Sequence, residues 1–174
     1  MQSTTVTVAQ EGSPEAVLPA TSRRIGLALS GGGIRAAVFH LGVLRRLASD
    51  NLLENVSAVS TVSGGSLITA AIFSRSGMKW PSSAEYLRST YPDLRRRITS
   101  GDLFSLKAFG WAGLTEFNLS LVRSRANVLA KMLDRVWGVS GRLADLPDAP
   151  QWLINTTCID TGKNWRFSKR EMGD

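Results

Sequence analysis

The first clear hydrophobic pattern begins at Arg24. Arg24-Ile25-Gly26-Leu27-Ala28-Leu29 is an apolar run without clean alternation, and it predicts a first buried strand. From Ile34 to Ser49 the apolar positions recur at helical spacing, with Ala37, Val38, Leu41, Leu44 and Leu47 assigned to the inner side. Gly42 weakens that helix and predicts close packing against a sheet. Val56-Ser57-Ala58-Val59-Ser60-Thr61 reads as a second short buried strand, and Ser66 to Phe73 as a second helix. Strand, helix, strand, helix predicts an α/β fold, with a parallel-type central sheet and helices on both faces.

Further along, Gly77 and Pro81 break the pattern, and Glu85 to Gly101 is mixed. Leu103 to Phe117 is rich in large apolar residues and poor in charge, and is expected to cap the site. Between Asn118 and Trp137 the residues Leu119, Val122, Ala126, Leu129, Leu133 and Val136 predict a helix ended by Gly138. Gln151 to Asp160 reads as a strand, Thr161 to Asn164 as a turn, and Trp165 to Ser168 as the returning strand. Residues 1–22 are rich in Ser, Thr, Gln and Pro and read as a flexible tail, leaving 23–174 as one α/β domain. That tail lacks the basic start and apolar core of a secretory signal. The longest charge-free run, Asn55 to Ser74, is too polar for a membrane span and fits strand, turn and helix better.

Composition narrows the chemistry. Of 174 residues, 43% are hydrophobic, enough for one sizeable core. The single cysteine, Cys158, excludes an internal disulfide and any cysteine-based metal cluster. The net charge is +7, and a tail of −2 leaves +9 for the rest. Such an excess favours an anionic partner, a membrane surface or nucleic acid, over a neutral one, although a merely basic solvated surface explains it equally well. Arg95-Arg96-Arg97 is the densest cluster; it reads as a solvated face or as a contact for phospholipid phosphates.

Two glycine-rich turns carry the candidate chemistry. Gly31-Gly32-Gly33 follows the first strand and opens the first helix. Glycines there let the backbone approach a ligand, and the helix start offers unpaired N–H groups at the positive end of its dipole. Such a loop holds an anion, either a phosphate or the oxyanion of an ester under attack. No Gly-x-x-x-x-Gly-Lys-Ser/Thr motif is present and the loop departs from Gly-x-Gly-x-x-Gly, so nucleotide binding is the weaker option. Ser63-Gly64-Gly65 then sits between the second strand and second helix, the layout of a nucleophile elbow. His40, the only histidine, lies within the first helix and reads as structural rather than as a general base.

Together the two turns resemble the patatin-like phospholipase family, in its bacterial form, from about Arg24 onward. In that family a glycine-rich loop ending in Arg supplies the oxyanion hole, a serine in Gly-x-Ser-x-Gly is the nucleophile, and an aspartate is its only partner. The resemblance implies Ser63 as nucleophile, in Thr61-Val62-Ser63-Gly64-Gly65, with threonine at the family's first glycine. It implies Gly31, Gly32, Gly33 and Arg35 for the oxyanion loop, with Gly64 as a further donor. The implied activity is hydrolysis of a carboxylic ester in a lipid or phospholipid, a step of lipid degradation, with no metal and no cofactor. The expected location is the cytoplasm, with peripheral attachment to an anionic membrane; nucleic acid is not an expected partner. The rival is a non-catalytic lipid-binding or regulatory module that kept the fold.

The aspartate is the gap. The family pattern places it in Asp-Gly after a later strand, and no aspartate here precedes glycine. Asp160, before Thr161-Gly162, is a weak local substitute. The expectation is that this chain is the N-terminal portion of a catalytic domain, inactive alone, with the acid supplied by a following segment, a cleaved companion or another subunit.

Overall fold

The structure, a computed structural model, describes residues 24–100 and 125–174. The expected tail, the expected cap over Leu103 to Phe117, and the first part of the helix expected from Asn118 lie outside the described residues.

The apolar run at the start becomes β1 (Ile25–Leu29), followed by α1 (Gly33–Ser49). A single 3₁₀ turn leads into β2 (Val56–Val62), and α2 (Gly64–Arg75) follows after one residue. Next come α3 (Ser83–Glu85), a π-helical turn (Tyr86–Thr90) and α4 (Tyr91–Ser100), wound without a break. The described part of the later helix is α5 (Arg125–Trp137). It stops where the sequence predicts: Gly138 takes φ 68°, and the N–H groups of Gly138 and Val139 close onto the carbonyls of Asp134 and Leu133. β3 (Gln151–Thr157), β4 (Asn164–Phe167) and β5 (Met172–Gly173) complete the chain.

The five strands form one mixed sheet in the order β1-β2-β3-β4-β5. β1, β2 and β3 run parallel, and β4 and β5 return antiparallel. The α/β class with a parallel-type core is therefore the architecture found. Register sets the site: Leu29 pairs with Thr61, and Thr61 with Ile154, so the carboxyl ends of β1 and β2 finish within one residue of each other while β3 runs on to Thr157. Loops that leave those ends emerge side by side, where open α/β sheets bind ligands.

Consecutive parallel strands joined by right-handed crossovers put their helices on one face. Accordingly α1 and α2 pack against each other and α1 against α4, so the described helices gather on the side of Leu29, Val59 and Thr61. The opposite side of β1 and β2 carries small residues, and Gly26, Ala28 and Val62 are exposed there. Phe73 of α2 stacks on Trp152 of β3 with ring centroids 5.3 Å apart, closing the core over the parallel strands.

Two details of α1 differ from the sequence reading. Its buried stripe is Ala37, His40, Leu41, Leu44 and Ala48, while Val38 is 48% exposed. His40 takes an inner position because its ring nitrogen has a backbone partner there, and Val38 lies about 100° round the helix from Ala37. Gly42 does not pack on the sheet: it is exposed, and nothing lies within 4 Å of the place its Cβ would occupy. No described helix is long and apolar enough to cross a membrane.

Candidate active site

Ser63 is the one residue between β2 and α2. Its φ of 50° and ψ of −114° match the first central position of a type II′ turn, which favours glycine. A serine held there is strained by about 1–3 kcal/mol, and such strain persists only where the surroundings impose it. The conformation turns the strand into the helix within one residue and leaves Ser63 exposed. Its carbonyl already accepts from Leu67 N–H at 3.0 Å, the first bond of α2.

The glycines around it serve close approach as much as backbone freedom. A Cβ on Gly64 would collide with the Gly33 carbonyl, and one on Gly65 with the Leu29 carbonyl. A Cβ on Gly31 would stand 3.2 Å from Ser63 Cβ. The β1–α1 loop is thus pressed against the start of α2. Within it Gly32 (φ 137°) and Gly33 (φ 63°) have backbones that L side chains rarely adopt. Neither helix receives a side-chain cap, and neither carries an acidic residue in its first turn. Two helix N-termini therefore meet beside one serine, and the first-turn N–H groups of each have no partner within their own helix. An arrangement of this kind favours an anion over a neutral group.

The structure thus brings together Ser63, Gly31, Gly33 and Gly64 directly, with Gly32 between. Arg35 lies exposed in the first turn of α1. His40 does not serve Ser63: it is 4% exposed, and its Nε2 lies 3.0 Å from the Ser30 carbonyl and 3.3 Å from Ser30 Oγ. Asp160 is exposed in the turn between β3 and β4, and among the described residues no carboxylate hydrogen-bonds Ser63. Also among the described residues, no three His, Cys, Asp or Glu side chains cluster to hold a metal. Of the Arg95-Arg96-Arg97 run, Arg95 is exposed, while Arg97 and Arg96 reach Asp93 at 2.8 and 3.8 Å.

One feature of the site is invisible in the sequence. Thr61, fully buried two residues before Ser63, accepts from Trp152 Nε1 at 2.9 Å and lies 2.9 Å from Ser66 Oγ. It ties the end of β2 to the first turn of α2 and to β3, bracing the elbow from below. Asn155 adds a clamp from β3, donating to Ser60 Oγ at 2.9 Å and to the Thr61 carbonyl at 3.2 Å. The only local hint was a threonine where the family has glycine.

The model of the patatin-like phospholipase family matches residues 27–167. The chain therefore belongs to the patatin-like phospholipase family, a family of lipid hydrolases. No curated protein sequence matches it. Among solved structures it is similar to human GIVD cytosolic phospholipase A2 in complex with methyl gamma-linolenyl fluorophosphonate, with a TM-score of 0.66, 21% identity, and coverage of 87% of this chain and 23% of that one. A second structure of that human enzyme, with the same inhibitor and terbium chloride, gives a TM-score of 0.63 at 23% identity, covering 87% and 24%. The human enzyme without those additions gives 0.61 at 21% identity, covering 87% and 22%. The chain spans about a quarter of the length of these structures, and at this identity the likeness is one of fold.

Proposed function

We propose that the protein is a serine lipid acyl hydrolase acting on carboxylic esters of lipids or phospholipids. The observation that carries this reading is Ser63 held at φ 50° where two uncapped helix N-termini meet. Ser63 Oγ attacks the ester carbonyl. The N–H groups of the Gly31–Gly33 loop and of Gly64 stabilise the oxyanion as the tetrahedral intermediate forms. The alcohol leaves with a proton, the acyl group stays on Ser63, and water then releases the fatty acid and restores the hydroxyl. The base is an aspartate paired with Ser63, as in the family, and it lies outside the residues placed beside Ser63 here. Arg35, two residues after Gly33, meets the anionic head group or braces the loop. The fold supports this reading because lipid hydrolases of the family share it.

Access to a lipid substrate requires an interface. The exposed side of α1 leads away from the glycine loop and presents Phe39, 67% exposed, with Val38, Arg35 and Arg46. Apolar side chains that enter the head-group boundary, flanked by guanidinium groups, suit peripheral contact with an anionic membrane.

A fluorophosphonate probe tests the reading, because an ordinary serine does not react with it. A phosphonate adduct mapped to Ser63, absent from Ser63→Ala with unchanged folding, is the expected result. An intact protein that folds, binds lipid vesicles and takes no adduct is a lipid-binding module instead.

A further inference from the structure

The glycine loop has a problem of its own. Three consecutive glycines lose more conformational freedom on ordering than any other residues would. An oxyanion hole works only if its N–H groups are already in place when charge develops. Something other than the glycines must therefore hold the loop.

His40 is placed to do it. It is the chain's only histidine and sits two turns into α1, buried to 4% exposure. Its ring lies edge-on to Phe39, with centroids 5.5 Å apart at 70°. Nε2 reaches back to the carbonyl of Ser30 at 3.0 Å. A carbonyl oxygen only accepts, so at that distance Nε2 carries a proton and donates it. Ser30 Oγ lies 3.3 Å from the same nitrogen. Ser30 is the last residue before Gly31, which packs on Ser63. The tie therefore joins the entrance of the loop to the body of the helix at its exit. Only Gly31 and Gly32 lie between Ser30 and the start of α1, so fixing both ends fixes where their N–H groups point.

We propose that His40 is a positioning residue: its Nε2–H, held on the Ser30 carbonyl, locks the Gly31–Gly33 loop in the arrangement that faces Ser63. The proposal rests on reading that loop as the oxyanion hole.

The experiment compares His40→Leu, which fills the space without a donor, with His40→Gln, whose amide N–H can reach the same carbonyl. In the intact protein, hydrogen–deuterium exchange of the peptide containing residues 30–36 reads the loop directly, and ester turnover reads its consequence. His40→Leu is expected to speed loop exchange and to lower kcat by on the order of 10²-fold, with KM within about twofold of wild type. His40→Gln is expected to restore most of both. A purely structural histidine gives a different result: lower melting temperature, unchanged exchange in the loop, and unchanged kcat in the folded fraction. That result overturns the proposal. Should His40→Leu fail to fold, the ¹⁵N imidazole spectrum of the wild type decides, since one histidine gives one assignment. A slowly exchanging Nε2–H proton supports the tie, and an Nδ1–H tautomer refutes it. Absence of a fluorophosphonate adduct on wild-type Ser63 would remove the hydrolase reading, while loop exchange would still decide whether His40 holds the loop.

Discussion

Gly31 lies directly against Ser63, with room of 3.2 Å between the Ser63 Cβ and the place a Gly31 Cβ would occupy. The two residues are 32 positions apart and belong to the loops after neighbouring parallel strands. Their meeting follows from register: Leu29 beside Thr61 leaves two residues of β1–α1 loop and two of the β2 end to reach the same point. The glycine loop and the serine elbow are one site because the two strands end within one residue of each other.

The first prediction concerns the middle of that loop. Gly32 has φ 137°, and a Cβ there would stand 3.1 Å from Ala36 Cβ. A β-branched residue can adopt that backbone only with strain, so the loop must shift. Gly32→Val is expected to lower ester turnover by on the order of 10²-fold, the scale of one misplaced oxyanion donor. Steady-state kinetics with a soluble lipid ester checks it, and a variant with normal kcat would show that the loop does other work.

A second prediction separates two kinds of glycine. Gly64 stands against the Gly33 carbonyl, which is backbone and cannot step aside alone. Gly42 stands exposed in the middle of α1 with open space around it. Gly64→Ala should destabilise the protein by about 2 kcal/mol or more, as overpacking against backbone does. Gly42→Ala should stabilise it by about 0.5–1 kcal/mol, the helix-propensity difference between the two residues. Urea unfolding of both variants is the measurement, and equal effects of the same sign would contradict the packing described.

Much of this was legible in the chain. β1, α1, β2 and α2 follow from apolar runs separated by glycine turns, and Ser63 follows from its place between a strand and a helix. The end of α5 at Gly138 was equally clear, because glycine is the natural residue for φ 68°. What the sequence hid was long-range. Nothing local shows that Thr61, Ser66 and Trp152 share one buried hydroxyl, since Trp152 is 91 residues away. His40 interrupts an apolar helix face, and its reason, the Ser30 carbonyl, becomes visible only once the loop has folded back. Ala37, Val38, Phe39 and Leu41 stand together, so periodicity alone does not fix the phase of the stripe, and Val38 turns outward where an inner position is expected.

The Thr61 node yields a double-mutant test. Thr61→Val keeps the shape but leaves the Trp152 N–H without its acceptor and the Ser66 hydroxyl without its partner, which is expected to cost about 1–3 kcal/mol. Trp152→Phe removes the donor and also some packing on Phe73. In the pair Thr61→Val/Trp152→Phe, no buried indole N–H is orphaned, so the combined loss should fall short of the sum of the single losses. Strict additivity in thermal unfolding would mean that the two side chains do not share the bond.

Acid stability should depend on Asp93. Arg75 and Arg97 each place Nε 2.8 Å from its Oδ2, and Arg96 lies 3.8 Å from Oδ1. Partial burial alone would raise its pKa. The hydrogen bond from Arg97 and the charges of Arg75, Arg97 and Arg96 outweigh that and hold the carboxyl below its ordinary 3.8. The unfolded chain then binds this proton more readily than the folded one, so stability rises with pH across this window. The contribution is complete above the ordinary carboxylate range and is lost as pH falls through the lower folded value. Asp93→Asn should therefore be less stable than wild type near neutral pH, and the gap should narrow at about pH 3. Urea midpoints at the two pH values test it; a gap that widens in acid would have the wrong sign.

The final prediction concerns the lipid surface. Phe39 and Val38 are exposed on the same helix that begins at the glycine loop, and Arg35 and Arg46 flank them. Arg46 is paired with Asp50 at 2.9 Å, yet 80% of its side chain remains accessible, so it can turn to a phosphate at small cost. Arg97 and Arg96 are drawn toward Asp93, which makes α1 the better-placed basic face near the site. Co-sedimentation with vesicles should rise with the fraction of anionic lipid and fall as salt screens the charges. Phe39→Ser should weaken binding several-fold on every vesicle, because it removes the apolar contact. Arg46→Glu should weaken it only on anionic vesicles. Equal binding of the wild type to neutral and anionic vesicles would leave the positive charge without this role, and unchanged binding of Phe39→Ser would place the contact elsewhere on the molecule.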